Sequence, residues 1–139
     1  MIIKGMHISG MGGANRSIKR QRKFFHILGL PGIEELFNGT INLSTAPDGY
    51  AIQSYDYFFP EVKFKSFPRK RVEDFGFITI KNLYYEDEVF QNWGYIYLAH
   101  SSPHFGNNQM FELLGQKITD FREGASLAIE ITDGMMIKV

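Results

Sequence analysis

Thr40 and Asn42 are the residues of this sequence whose types and spacing best suit a metal site. They lie two positions apart, so in a β-strand their side chains project from one face while Ile41 and Leu43 project from the other, toward a core. A hydroxyl and an amide carbonyl are neutral oxygen ligands, which suit Mg²⁺ when the phosphates of a nucleotide supply the negative charge. The same spacing is also compatible with an ordinary strand threonine and an asparagine that caps a turn.

A glycine-rich segment near the start of the chain has the complementary ability to bind phosphate. Glycines expose backbone N–H groups, which can form an anion-binding nest. The segment follows a predicted strand but lacks the Gly-Lys-Ser/Thr ending of a P-loop and the spacing of a dinucleotide-binding fingerprint. On its own it is also compatible with a flexible connection between strands. Its residues are Gly10, Met11, Gly12, Gly13, Ala14 and Asn15.

Two basic clusters and a pair of tyrosines are further candidates for ligand contacts. The clusters run from Lys19 to Lys23 and from Arg69 to Arg71. Either could steer a triphosphate, or could be a solvated helix face or an exposed turn. Tyr95 and Tyr97 share one face of a predicted strand and could flank a flavin ring, although aromatic packing across strands explains them as well.

The composition indicates one domain without bulk charge. At 139 residues the chain fits a single domain over residues 1–139, since chains divide at roughly 100 to 200 residues per domain. The 15 basic and 15 acidic residues give a formal net charge of zero, so nucleic acid and anionic membranes are not expected partners.

The absence of cysteine excludes disulfides and thiolate metal sites. With no signal-peptide pattern and no apolar run long enough to cross a bilayer, we expect a cytoplasmic protein.

Hydrophobic patterning predicts a mainly β fold with one or two helices, and the number of strands favours a small barrel. An amphipathic helix is predicted over residues 18–28, with Gly29 as its stop signal. Asp133-Gly134 predicts a tight C-terminal hairpin, because this pair readily adopts the positive φ of such a turn. Residues 84–92 are predicted to be a long loop, and residues 50–68 edge strands and irregular loop. The other predicted strands cover residues 2–9, 40–45, 75–83, 93–99, 126–132 and 135–139, and residues 110–114 form a further apolar segment.

The order of these elements resembles that of the archaeal-type CTP-dependent riboflavin kinases. As in that family, a strand leads into a Gly-x-Gly-x-Ala/Gly loop at Gly10 and a short helix ends at Leu28-Gly29. A Gly-Thr-Ile/Leu-Asn-Leu motif then follows at Gly39. More faintly, residues 110–114 resemble an apolar segment of the family with a central glutamate, here Glu112. The resemblance extends thinly over nearly the whole chain.

This resemblance implies a small six-stranded cradle-loop (RIFT-like) barrel with one or two short helices. It also implies a Mg²⁺-dependent transfer of the γ-phosphate of CTP to riboflavin, which gives FMN, so that CTP and riboflavin or FMN are the expected partners. Glu112 would orient or deprotonate the riboflavin hydroxyl and would be the catalytic residue. The implied nucleotide-binding residues are Gly10, Met11, Gly12, Gly13, Ala14, Asn15, Lys117, Ile118, Thr119 and Asp120, the flavin-binding residues are Ser102 and Glu112, and the metal ligands are Thr40 and Asn42.

Departures from the family pattern keep other functions open. Leu36-Phe37-Asn38 stands where the family tends to have a Pro-Tyr-x lead-in, and residues 122–125 replace an Asp-Gly-Asp turn. The interval from His104 to Glu112 is also longer. The alternative function is therefore a non-catalytic barrel domain that binds a nucleotide or a flavin. An RNA-binding module that uses the basic clusters is a third hypothesis, against which the zero net charge counts.

Overall fold

The structure, a computed structural model, is mainly β and describes six stretches of the chain. These are residues 1–8, 22–36, 40–66, 69–99, 106–116 and 122–139, with the backbone alone described at residues 64–66 and 69–71. A short helix covers residues 22–27, a one-turn 3-10 helix covers Ile33–Glu35, and no described helix is long and apolar enough to cross a membrane. The described strands are β1 Ile2–Ile8, β2 Ile41–Ser44, β3 Tyr50–Ile52, β4 Tyr57–Ser66, β5 Arg69–Tyr85, β6 Glu88–Gln91, β7 Gly94–Ala99, β8 Met110–Leu114, β9 Ser126–Ile131 and β10 Met136–Lys138.

Six of these strands close into an antiparallel barrel. The hydrogen-bonded order is β5, β7, β8, β2, β1, β9 and back to β5. β5 closes the ring because it is 17 residues long. Its residues 75–80 pair with β7, and most of its residues from Ile80 to Tyr85 pair with β9. The six-stranded barrel predicted from the sequence is therefore confirmed for the part of the chain that the structure describes.

The barrel interior is filled by alternate residues of each strand. Ile41 and Leu43 of β2 are 7 % and 0 % exposed and belong to the same buried cluster as Leu113 and Ile96 of the neighbouring strands. Full burial of a side chain of this size contributes about 1.5 to 3 kcal/mol. The inward direction predicted for Ile41 and Leu43 is confirmed, so the alternate position, Asn42, faces outward.

A second, aromatic core covers the outer face of β5 and β7. Phe25 of the short helix packs edge-on against Phe75 and Phe77, with ring centroids 4.9 and 5.0 Å away. After the helix Gly29 adopts a φ of 90°, which glycine reaches without strain, and the chain turns back so that Ile33 joins the same cluster. Residues 22–36 are thus held against the outside of the barrel.

The predicted C-terminal hairpin is wrong. β9 and β10 occupy the predicted positions, but β10 pairs with β3, with Met136 opposite Ile52, in a separate two-stranded sheet. A type I′ hairpin turn needs positive φ at both central residues. Of the pair, Gly134 has a φ of 89°, whereas Asp133 is not among the residues with positive φ. The turn therefore directs the chain away from β9.

The long loop predicted between the two middle strands is also wrong. β5 continues to Tyr85, and Glu86 and Asp87 form a two-residue turn with φ values of 54° and 66°. β6 then pairs back onto β5, with Tyr85 opposite Glu88. Two consecutive acidic residues rarely adopt positive φ, so no standard turn signal marks this hairpin.

Gly5 of β1 lies against the backbone of β2. A methyl group at this position would collide with the carbonyl oxygen of Ser44, a backbone atom that cannot move without disturbing β2. We expect Gly5→Ala to lower the free energy of unfolding by about 2 to 3 kcal/mol, as overpacking of a close-packed site does. Chemical denaturation measures the change, with Lys4→Ala at the exposed neighbouring position as the control. Equal stability of the two variants would contradict the close approach of β1 and β2.

Candidate functional site

Asn42 and Glu112 lie directly opposite each other on neighbouring strands. In the pair of β2 and β8, Asn42 is the partner of Glu112, and in the pair of β7 and β8, Glu112 is the partner of Tyr97. Directly opposed residues project to the same side of a sheet, with Cβ atoms about 4.5 to 5.5 Å apart. The three residues therefore form a row on the outer face of the barrel, which we term the polar row.

Asn42 is buried with an unpaired acceptor. Its exposed fraction is 4 %, and its Oδ1 has no hydrogen-bond partner in the described part of the chain. Leaving a buried acceptor unpaired costs about 1 to 3 kcal/mol, and nearly all buried polar atoms in folded proteins avoid this cost. An orphaned oxygen of this kind fits a metal ion or a hydrogen-bond donor that belongs to a ligand.

Thr40 is half-buried and directly precedes β2, two positions from Asn42. The two residues predicted as metal ligands thus lie on one stretch of backbone at the spacing of a single strand face. Two neutral oxygens hold a divalent cation best when a charged ligand such as a phosphate completes the shell. Among the residues that the structure describes, no group of three or more His, Cys, Asp or Glu could hold a metal ion.

Three strand ends lie beside the polar row. β1 ends at Ile8, which is the cross-strand partner of Asn42, and β2 begins one residue before Asn42. β8 ends two residues after Glu112. Segments 10–15 and 117–120 follow β1 and β8 in the chain, whereas β7, which precedes Ser102, runs toward the opposite end of the barrel. The residues themselves lie outside the described part of the chain, so their roles stay predictions: Gly10, Met11, Gly12, Gly13, Ala14, Asn15, Ser102, Lys117, Ile118, Thr119 and Asp120.

Gln91, which was not predicted from the sequence, fixes the end of β8. Its side chain Oε1 accepts a hydrogen bond from the backbone N–H of Gln116 at 2.6 Å, and its Nε2 donates to the carbonyl of Trp93. Gln116 directly precedes segment 117–120, so Gln91 sets where that segment leaves the barrel. No motif marks such a residue, because both of its partners are backbone groups, and one of them lies 25 positions along the chain.

A cleft of about 160 Å³ opens beside Gln91. Its lining combines amide groups with an indole, which suits a planar heterocycle with polar edges. The cleft also reaches Gln116, and so lies next to the strand end that precedes segment 117–120. The lining residues are Glu35, Leu36, Gln91, Asn92, Trp93 and Gln116.

Gln91→Leu should lower the free energy of unfolding by about 2 to 4 kcal/mol, because two backbone groups lose their partners while the side-chain volume is kept. Gln91 is 8 % exposed, so water does not replace those bonds freely. The matched change Gln53→Leu, at an exposed glutamine, should alter stability by less than about 0.5 kcal/mol. Urea denaturation of both variants gives the comparison, and a similar effect at the two positions would refute the role of Gln91.

His7 lies at the same end of the barrel and faces the interior, because it pairs with the buried Leu43. Its ring packs edge-on against Tyr85, with centroids 5.6 Å apart. Burial lowers the pKa of His7, and the charge of Glu123 acts in the opposite direction. Because the ordinary pKa is already 6.5, His7 is mainly neutral near pH 7 and adds little positive charge for a phosphate.

Tyr95 and Tyr97 belong to the aromatic core, with exposed fractions of 4 % and 5 %. The Tyr95 hydroxyl donates to the carbonyl of Pro31 at 2.7 Å. Burial raises the pKa of Tyr95 to about 12, and Tyr57 and Asp56 contribute to the increase. The packing of this pair supports its structural interpretation over a role in flanking a flavin.

Comparison with protein-family models gives no match, and comparison with curated protein sequences gives no significant match. A function for this chain therefore depends on the barrel, the polar row and the order of the sequence motifs. The polar row is the most specific of these features, because a buried oxygen without a partner among residues 1–8, 22–36, 40–66, 69–99, 106–116 and 122–139 lies opposite a carboxyl side chain.

Proposed function

We propose that the protein is a CTP-dependent riboflavin kinase, which transfers the γ-phosphate of CTP to the ribityl 5′-hydroxyl of riboflavin and gives FMN and CDP. The observation that carries the proposal is the buried Oδ1 of Asn42, which has no hydrogen-bond partner among the described residues and lies opposite Glu112 in the polar row. The hydroxyl oxygen forms a bond to the γ-phosphorus, the bond to the bridging oxygen of the β-phosphate breaks, and the hydroxyl proton goes to Glu112.

Thr40 and Asn42 would hold Mg²⁺ in this enzyme. The buried Oδ1 of Asn42, which lacks a partner in the part of the chain that the structure describes, and the half-buried Thr40 two positions away fit a cation that phosphate oxygens also bind. A Mg²⁺ ion held there would neutralise charge on the transferred phosphoryl group. The two side chains orient the phosphates relative to Glu112.

Glu112 is proposed to orient the 5′-hydroxyl and accept its proton. Phosphoryl transfer depends mainly on positioning and electrostatic stabilisation. Glu112 and Asn42 lie on adjacent strands of a closed barrel, so the hydrogen bonds between these strands fix the distance between the two residues. Residues on paired strands are positioned more precisely than residues on loops. Glu112 is half-buried, so part of its side chain reaches the surface.

Segments 10–15 and 117–120 complete the proposed nucleotide site. Each follows a strand that ends beside the polar row. The N–H groups of the glycine-rich segment would bind phosphates, and riboflavin would contact Ser102 and Glu112. The choice of CTP over ATP rests on the family resemblance, because backbone groups can recognise cytosine without a residue signature.

Incubation of the purified protein with riboflavin, Mg²⁺ and one of CTP, ATP, GTP or UTP tests the proposal. We expect FMN, separated from riboflavin by chromatography, with CTP and none after EDTA removes the metal. No FMN with any of the nucleotides would contradict a kinase. Calorimetry with CTP, riboflavin and FMN would then test the alternative, since saturable binding without turnover would support a nucleotide- or flavin-binding domain.

A further inference from the structure

Most of the basic residues of this chain lie in two short segments, residues 16–23 and residues 63–71. Five of the 15 basic residues lie between Lys63 and Arg71, a stretch of nine residues without an acidic residue. The remainder of the chain therefore holds 10 basic and 15 acidic residues. The zero net charge that argues against nucleic acid is thus the sum of a strongly positive segment and a negative remainder.

This segment forms a two-stranded ribbon in which β4 and β5 pair beyond the last pair of β5 with β7. The basic ribbon, residues 62–66 of β4 and 69–73 of β5, pairs only with itself in the described structure, whereas β7 pairs with β5 from Phe75 onward. A bulge between Phe59 and Val62, where Glu61 has a φ of 53°, marks its base. Bulges bend strands. Five residue pairs at about 3.4 Å per residue make the ribbon about 14 Å long.

The register of the ribbon pairs basic positions with each other. Lys65 is the direct partner of Lys70, and Lys63 is the partner of Val72. Because residues alternate across a strand, these four positions share one face, on which Lys63 and Val72 are exposed. Like charges directly opposite each other are unfavourable in an isolated sheet. A polyanion could supply the charge that compensates these basic positions.

We propose that the basic ribbon binds duplex DNA by entering the major groove. A two-stranded ribbon is one of the elements that the groove of B-form DNA, about 12 Å wide, admits. The duplex carries one phosphate charge per roughly 1.7 Å of its axis, so about 14 Å of ribbon passes about eight phosphates. This number is sufficient for contacts with all the basic residues of the ribbon. The binding is independent of the proposed kinase site.

A second copy of the chain is the other candidate, because the remainder of the chain is acidic. Its longest acidic run is Glu86-Asp87-Glu88, with three charges against the five of the ribbon. One of those three is already neutralised, because Arg122 pairs with Glu86 at 3.0 Å. The charge of the basic ribbon is therefore matched better by DNA than by another copy.

Fluorescence anisotropy with the whole chain and a labelled mixed-sequence duplex DNA tests this proposal. Five phosphate contacts predict that log K falls with log salt concentration with a slope of about −4.5. In the double variant Lys65→Gln/Lys70→Gln, the slope should shrink by about 2 and the affinity at low salt should fall by about 10-fold or more. The matched control, Lys4→Gln/Lys81→Gln, changes two exposed lysines of barrel strands and should bind like the parent.

Circular dichroism and melting temperatures establish that both double variants are folded. Lys63→Gln alone, at an exposed position near the base of the ribbon, repeats the test with an expected slope change of about 1. The proposal is overturned if duplex binding is absent or independent of salt, or if the control loses as much affinity as the ribbon variant. It is also overturned if a single strand of equal length binds as tightly, or if the ribbon variant instead abolishes salt-dependent self-association in sedimentation.

Discussion

Replacing Asn42 with leucine is expected to make the protein more stable and to lower its proposed riboflavin kinase activity strongly. Asn42 is 4 % exposed, and its Oδ1 has no hydrogen-bond partner in the described residues, whereas leucine has a similar volume and no polar group. We expect the free energy of unfolding to rise by about 1 to 3 kcal/mol, the cost of an unpaired buried acceptor. Activity should fall by about 100-fold or more, because the oxygen proposed to hold the metal and its phosphates is lost.

Asn82 provides the matched control for this experiment. It lies on β5, and its Nδ2 donates to Oε1 of Glu130 at 2.8 Å, so its amide already has a partner. Asn82→Leu should lower the free energy of unfolding by about 1 kcal/mol, the net contribution of a hydrogen bond, and leave kinase activity unchanged. Denaturation curves and rates of FMN formation for the two variants, measured side by side, give the comparison.

The opposite directions of the two measurements distinguish a functional asparagine from a structural one. If Asn42 contributes to stability, the leucine variant will lose stability and activity together. If the buried oxygen is only an imperfection of packing, stability will rise and activity will not change. A gain in stability with a loss of activity is the pattern expected of a site that is retained for function at the expense of stability.

The local features of β2 were predicted from the sequence because they depend on neighbouring residues. The alternation of Ile41 and Leu43 with Asn42 is a property of any strand with one buried face, and the structure confirms it. The apolar segment at 110–114 was also recognised from the sequence, and it is observed as β8. The closed six-stranded barrel was expected from the family resemblance rather than from any single segment.

The partnership of Asn42 with Glu112 could not be predicted from either local sequence. It depends on the register between two strands that are distant in the chain, and a slip of one residue would turn Glu112 toward the barrel interior. The prediction of a C-terminal hairpin was wrong for a related reason. The pair Asp133-Gly134 is compatible with a hairpin turn, but it does not determine which strand pairs with β10. That partner is β3, which lies far earlier in the chain.

Replacing Glu112 with glutamine is expected to lower kcat by about 10² to 10⁴-fold, the contribution of a positioned proton acceptor. The KM for CTP should change little, because the nucleotide is proposed to bind through other residues. Glutamine keeps the size of the half-buried side chain but cannot accept the hydroxyl proton, so the fold should persist. Initial rates of FMN formation measure the effect, with Glu88→Gln at an exposed position of β6 as the control.

The double variant Asn42→Leu/Glu112→Gln tests whether both residues act on one reaction. Cross-strand partners that serve the same step have non-additive effects, because Glu112 can accept a proton productively only when the phosphate lies in line with the hydroxyl. We therefore expect the double variant to be about as active as the less active single variant. A loss equal to the product of the two single losses would instead place the residues in separate roles. The strand ladder favours the first outcome, because β2 and β8 are neighbours in a closed barrel and neither residue can shift to compensate for the other.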